Sequence, residues 1–483
     1  TVLTNNGIDP ALIDFSSLRL YHLGDEVAIA IHDDNSNNAL DAADTIRFYA
    51  APVAAAYAKY APTNVYWMSL NGGIDSPRRM AAVDGTPAGG TQATTHSYTH
   101  HHELNQTYWS KAPGEDSLDR WIFGAYALGT GFLLGNGNPN PNSGTPVNVN
   151  ITLTDVGGTM KGTVTMLLYG AYETDHEVDV SINGGPVITL TWSGRTGREA
   201  VFEDVDLVDG VNTVTITCQS ATDSIAFDWF DITYEREYTA VSNSLQFAHD
   251  DDYLFDVDGF TTDSLAVFDI TDPAAVRQVT GWTTAGGGPY TLSFEPAAAT
   301  TDAHTYLALA EANISTPASI VENSVSDLAD TTNGADYILI THSDIGWDGG
   351  VAEAWLTRII AQREAQGLRV EVVNVEDIFD EFAYGMTSPV AIKDFISYAY
   401  DNWTAPAPQY VLLVGDAIYD FHNRWGTGKV NYVPSYLTYT QFMGETATDE
   451  WYVTVSGDDA VPDLYIGRLP AATAAAAGIM VDK

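Results

Sequence analysis

The twelve residues from Asp33 to Asp44, DDNSNNALDAAD, place oxygen-bearing side chains at loop positions one, three, five, nine and twelve: Asp33, Asn35, Asn37, Asp41 and Asp44. Carboxylate and amide oxygens at that spacing suit a hard cation such as calcium. Leu40 stands where such loops anchor into a core. Asn38 replaces the usual glycine but tolerates the left-handed backbone the turn needs, and Asp44 replaces a bidentate Glu. The flanks read as strands, so the motif is either a calcium loop outside a helix–loop–helix hand or a plain Asx-rich turn. Gly457 to Asp463 is a second acidic turn, and Asp250-Asp251-Asp252, followed by Asp256 and Asp258, reads as a solvated loop. His96, His100, His101, His102 and Glu103 raise the question of zinc. Neither His102-Glu103 nor His176-Glu177 has the second His that a metalloprotease helix requires, so a histidine-rich surface loop is expected. Cys218 is the only cysteine. It ends the alternating run Val214–Cys218, where a buried structural thiol is expected, because a nucleophile needs an electropositive, accessible setting.

These residues must be held by several cores. A chain of 483 residues predicts about three or four domains. Residues 1–145 mix short β patterns, such as Val27–Ile31, Thr45–Tyr49 and Asn64–Met68, with loops. The Gly/Asn/Pro-dense stretch Gly135–Gly144 reads as a linker. From 146 to 238 the alternation is regular, as in Val147–Leu153 and Val211–Thr217, with turn signals such as Asn183-Gly184-Gly185. That pattern predicts a β-sandwich of jelly-roll type, closed by Ala226–Tyr234. Residues 239–333 return to irregular β.

At Gly334 the pattern changes. Tyr337–Thr341, Val370–Val375 and Tyr410–Val414 are near-continuous apolar runs. Val351–Gln366 reads as a helix with Val351, Ala354, Trp355, Ile359 and Ile360 on one face, stopped by Gly367. Ser388-Pro389 has helix-start chemistry for a helix over Val390–Trp403. Strand, helix, strand, helix, strand predicts a parallel α/β sheet over 334–483. Asp416, at the end of its third strand, falls where open α/β sheets place ligands; it either borders a cleft or caps the loop after that strand.

Charge narrows the partners. Lys and Arg number 20 against 64 Asp and Glu, a formal charge of -44, which repels phosphate backbones and anionic lipid surfaces. Nucleic acid is therefore not an expected partner; divalent cations, basic peptides or simple solubility are the readings that remain. No apolar run reaches the ~20 residues that span a bilayer. The chain opens at Thr1 without Met or signal peptide and closes on the start of a helix at Ala471–Lys483, so a processed or excised piece is expected.

The order of Tyr337–Thr341, Gly367-Leu368-Arg369-Val370, Ser388–Ile392, Tyr410–Asp416, Val433–Tyr436, Thr448–Tyr452, Gly457-Asp458-Asp459 and Pro462–Pro470 resembles the gingipain-type cysteine peptidase domain. Asn64–Trp67 and Phe268–Pro273 resemble the β portion that precedes this domain in large secreted members. The resemblance implies a caspase-like α/β fold, incomplete here. It also implies a protein or peptide substrate and a structural calcium through Asp459, Asp463 and the Val461 carbonyl. It puts a Cys nucleophile and His partner on strand ends after Ile466-Gly467-Arg468, so the dyad and the rest of the peptidase domain are expected beyond Lys483. The leading expectation is an extracellular or cell-surface cysteine endopeptidase. A second is a non-catalytic surface or structural protein whose sandwich binds glycans or neighbouring proteins through Trp192 or Trp229. A third is a pro-region that folds or inhibits a separate protease chain.

Overall fold

The computed structural model describes residues 2–5, 9–10, 13–38, 40–41, 43–70, 75–127, 146–219, 223–249, 253–296 and 303–483. The linker expected over Gly135–Gly144 and the triplet Asp250-Asp251-Asp252 lie outside them.

The front of the chain uses short strands. Arg19–His22 pairs antiparallel with Asp25–Val27 and with Trp67–Ser69, over a small core of Ile13, Phe15, Leu18, Leu20, Val27 and Ile29. Polar clamps add to it. Arg19, only 3% exposed, donates to Glu26 at 2.5 Å and to the Asp75 carboxylate at 3.0 Å. Arg79 holds the carbonyls of Phe15 and Leu18 at 2.6 and 3.1 Å.

The sandwich forms from two antiparallel sheets around one core. Val147–Leu153, Gly210–Cys218, Asp175–Ile182 and Ile188–Ser193 make one sheet; Gly124–Ala127, Ser224–Glu237, Lys161–Gly170 and Gly197–Asp206 make the other. Alternation decides the facing: Val178 and Val180 point inward while Glu177 and Asp179 point out. A register shift between Met166 and Leu168 lets Phe227 and Phe230, three residues apart, both reach the core. Strand Thr95–Glu103 also pairs along Ser224–Glu237, so the sandwich draws strands from before residue 146. Residues 239–333 likewise form more than irregular β. Two further sheets enclose Phe247, Phe255, Phe294 and Tyr306, and Ala81–Asp84 and Thr91–Gln92 join their edges in parallel.

The last region holds a four-stranded parallel sheet in the order Val370–Asn374, Tyr337–Thr341, Tyr410–Val414, Tyr465–Leu469. Its central strand Tyr337–Thr341 is apolar up to its last residue because both faces are covered. Ile338 and Ile340 pack on helices Val375–Ala383 and Pro389–Asn402, while Tyr337 and Leu339 pack on Ala354–Glu364 and Ala474–Val481. Each such side chain contributes about 1.5–3 kcal/mol by leaving water. Three local expectations shift. The first helix begins at Ala354, because Val351–Ala352 pairs with Trp347–Asp348 and Val351 is 71% exposed. The second strand stops at Asn374, whose side chain accepts from the Glu376 amide and so starts the helix Val375–Ala383 instead. Helix Pro389–Asn402 starts at its proline as expected, but the Ser388 side chain makes no capping bond.

Candidate functional site

Beside the carboxyl ends of the parallel strands opens a cleft of about 510 Å³. The loop after the third strand contributes Asp416, Ala417, Ile418 and Tyr419. The hairpin Tyr436–Thr440/Gly444–Thr448 and its flanks add Ser435, Leu437, Glu445, Ala447 and Asp449; the fourth strand adds Arg468, and the front region adds Tyr108. The floor is rigid. Arg468 grips Asp449 with two parallel bonds of 2.7 and 2.8 Å and reaches the carbonyls of Gly415 and Val433, while Ser435 Oγ donates to Asp449 at 3.0 Å. Asp416 takes both expected roles, since it lines the cleft and its carboxylate accepts from the Ala417 amide.

One wall is a buried charge cluster that joins distant parts of the chain. Glu445 accepts from Lys59 at 2.6 Å, Arg120 at 2.8 Å and the Tyr108 hydroxyl at 2.6 Å. Side-chain exposures of 1% for Glu445, 5% for Lys59 and 0% for Arg120 leave water almost no access. Burial pushes the Lys59 ammonium below its ordinary range, against the pull of Glu445. Burial, followed by the bond to Glu445, raises the Tyr108 phenol. Arg120 completes its bonding on the carbonyls of Ala112, Gly114 and Leu118. Next to it, Asp116 accepts from the Tyr439 amide at 2.7 Å and from the hydroxyls of Tyr436 and Thr438. The bonds of Lys59 and Arg120 to Glu445 span 386 and 325 residues, so no local pattern announces them. One signal was present. With bases scarce against acids, a Lys or Arg is a strong candidate for burial beside a carboxylate that the fold cannot leave in water.

The sequence-derived site residues fall elsewhere. Asp33, Asn35, Asn37, Asp41 and Asp44 do share one compact loop. Asp33 accepts from the amides of Asn37 and Asn38, Asp44 accepts from those of Asp34 and Asp41, and Asn35 and Asn37 donate to Asp41. Asn38 has φ 61°, the left-handed turn expected of it. In the second acidic turn Asp459 accepts from the Val461 amide, and Asp463 from the amides of Val455 and Ser456. Among the described residues no three His, Cys, Asp or Glu side chains converge as a metal-binding group. The histidines form no loop. They lie along strand Thr95–Glu103, with His101 bonded to Asp231 on one face while His100 and His102 stack on each other 6.1 Å apart. Cys218 is buried in the sandwich core with its sulfur 3.9 Å from Asp223. Trp192 leans on buried His176 and Trp229 on His101.

A parallel α/β sheet behind a multi-sheet β front, with a cleft at the strand ends, defines the class of the molecule. Residues 330–483 match the family model of Peptidase family C25, the gingipain family, which bears out the resemblance over that stretch. The crystal structure of dimeric latent PorU from Porphyromonas gingivalis has the same overall fold, with 16% sequence identity, a TM-score of 0.63, and coverage of 99% of this chain and 47% of that one. The present chain thus spans about half the length of that protein. Two smaller alignments are to the CBM36-1 domain of a xylanase from the hindgut metagenome of Trinervitermes trinervoides (12% identity, 28% of this chain, 96% of that one, TM-score 0.18) and to CBM35 from Cellvibrio japonicus Abf62 (20%, 29%, 97%, 0.20). No curated protein matches the chain. Among the described residues no helix is long and apolar enough to cross a membrane.

Proposed function

We propose that the chain is the N-terminal portion of a secreted gingipain-type cysteine endopeptidase, hydrolysing peptide bonds with a Cys/His dyad located beyond residue 483. The reading is carried by one observation: the segment that matches the peptidase family is a parallel sheet whose carboxyl ends border a cleft of about 510 Å³. On this reading the sheet is the first part of a caspase-like domain and the cleft seats the substrate chain. A thiolate supplied from beyond Lys483 attacks the scissile carbonyl, giving an acyl-enzyme that water then releases. Cys218 takes no part, since it is buried and faces the sandwich core. Calcium belongs to the proposal as a structural ion. The all-oxygen set of Asp33, Asn35, Asn37, Asp41 and Asp44 suits a hard cation, as do the carboxylates of Asp459 and Asp463 with the Val461 carbonyl, and in both turns backbone amides hold the carboxylates in place.

The test uses the full-length protein and a set of fluorogenic peptides. Hydrolysis that is lost on thiol alkylation and kept in Cys218→Ser supports the assignment. Absence of hydrolysis, or hydrolysis indifferent to alkylation, rejects it.

A further inference from the structure

The cleft continues into an aromatic ledge whose ring faces its polar chemistry does not use. Tyr108 and Tyr419, both lining the cleft, stack with ring centroids 4.4 Å apart. Trp425 meets Tyr419 edge-on at 5.6 Å and buried Trp121 at 5.3 Å, and the Arg424 guanidinium lies 5.6 Å from the Trp121 ring. Two of these rings face water, Trp425 being 52% and Tyr419 38% exposed. An exposed tryptophan on a loose loop would be unremarkable, but this one is pinned. Buried Asp420 accepts from the amides of Arg424 and Trp425 at 2.7 and 3.0 Å, Arg424 binds Asp119 at 2.8 Å, and Asn431 exchanges two bonds with Ile418. The ledge is thus preorganised, so a ligand that stacks on it orders little side-chain freedom.

We propose that Tyr108, Tyr419 and Trp425 form a specificity subsite that takes an aromatic or bulky apolar side chain of a peptide lying in the cleft; this rests on the peptidase reading above. Continuity with the cleft selects a peptide as occupant. Charge disfavours an acidic residue, since Asp416, Glu445 and Asp449 line the cleft with Arg468 as the one base among the described residues, and the exposed ring faces of Tyr419 and Trp425 favour an aromatic or apolar side chain. Because Tyr108 and Trp121 come from the front region, substrate choice would be shared between the two halves of the chain.

The test is calorimetric titration of the whole chain with two uncharged decapeptides that differ only in a central Phe or Ala. The wild type should bind the Phe peptide roughly tenfold more tightly, the scale of one aromatic contact. Tyr419→Ala/Trp425→Ala should bind both peptides as the wild type binds the Ala peptide, whereas Trp425→Phe should keep the preference. Trp425→Ala alone, which trims a half-exposed ring, serves if the double variant does not fold. Equal binding of both peptides by the wild type, or a preference that survives ring removal, overturns the subsite and leaves peptide binding in the cleft standing. Binding of neither peptide overturns both.

Discussion

The front region and the parallel-sheet region solve the same folding problem by different means. The sheet region buries Ile338, Ile340, Ile392, Phe395, Ile396 and Leu413 completely in one continuous core. The front region has a small core of its own around Ile13, Phe15, Leu18, Leu20, Val27 and Ile29, then relies on Arg19, Arg79 and Arg120 clamped to carboxylates and carbonyls and on docking against its neighbour. Apolar burial is additive and tolerant of detail, whereas buried charge stabilises only when every partner is in place. The front region should therefore be held less by its own core than by its seam with the hairpin over 436–448.

The largest expected effect breaks that seam. Glu445→Ala leaves Lys59 and Arg120 buried without their carboxylate and should cost about 3–5 kcal/mol in urea denaturation. A loss below about 1 kcal/mol, the scale of an exposed ion pair, would mean that the cluster is incidental. The next test lies where the sandwich meets the front segment. Asp228 is buried with Oδ1 unpartnered, and burial, then the charges of Glu103 and Asp119, raise its carboxyl to about 7, with His101 opposing. Because the folded form holds this proton more tightly than the unfolded one, the associated stability is present below about pH 4 and is lost as pH rises toward 7. Asp228→Asn should remove that slope and gain up to about 4 kcal/mol at pH 8, with no gain at pH 4. An unchanged slope would place the sensitivity elsewhere.

Smaller effects sharpen the contrast. If the Asp33–Asp44 loop holds calcium, a hundredfold excess over Kd should add about 3 kcal/mol, read as a melting temperature that falls on adding chelator. An unaltered melt would reduce the loop to an Asx turn. In the sheet region, Thr473 caps the last helix by accepting from the Ala476 amide at 3.1 Å. Thr473→Ala should therefore cost only about 1 kcal/mol by thermal melting.

Legibility in the sequence divides along the same line. Tyr337–Thr341 and Tyr410–Val414 announce themselves because a strand covered on both faces has little room for polar residues. The sandwich strands announce themselves by period two. Val370–Val375 misled because Asn374 interrupts an apolar run that otherwise reads as one strand, and its capping role depends on the amide of Glu376 two residues later. The histidine run misled because a cluster of polar rings looks like a loop until its alternation is matched to the edge of Ser224–Glu237. The cleft was half legible: Asp416 was found from its place at a strand end, while Tyr108 and Glu445 meet across 337 residues. Pairings at that distance are fixed by tertiary packing alone.

Amide hydrogen exchange at the hairpin tests the docking most directly. The amides of Leu437, Tyr439 and Glu445 donate to the front region, to the Tyr60 hydroxyl, the Asp116 carboxylate and the Ser110 carbonyl. They should exchange slowly in the wild type and lose protection in Glu445→Ala, while Ile338–Ile340 stay protected in both. Rapid exchange of all three in the wild type would contradict a front region locked onto the sheet region.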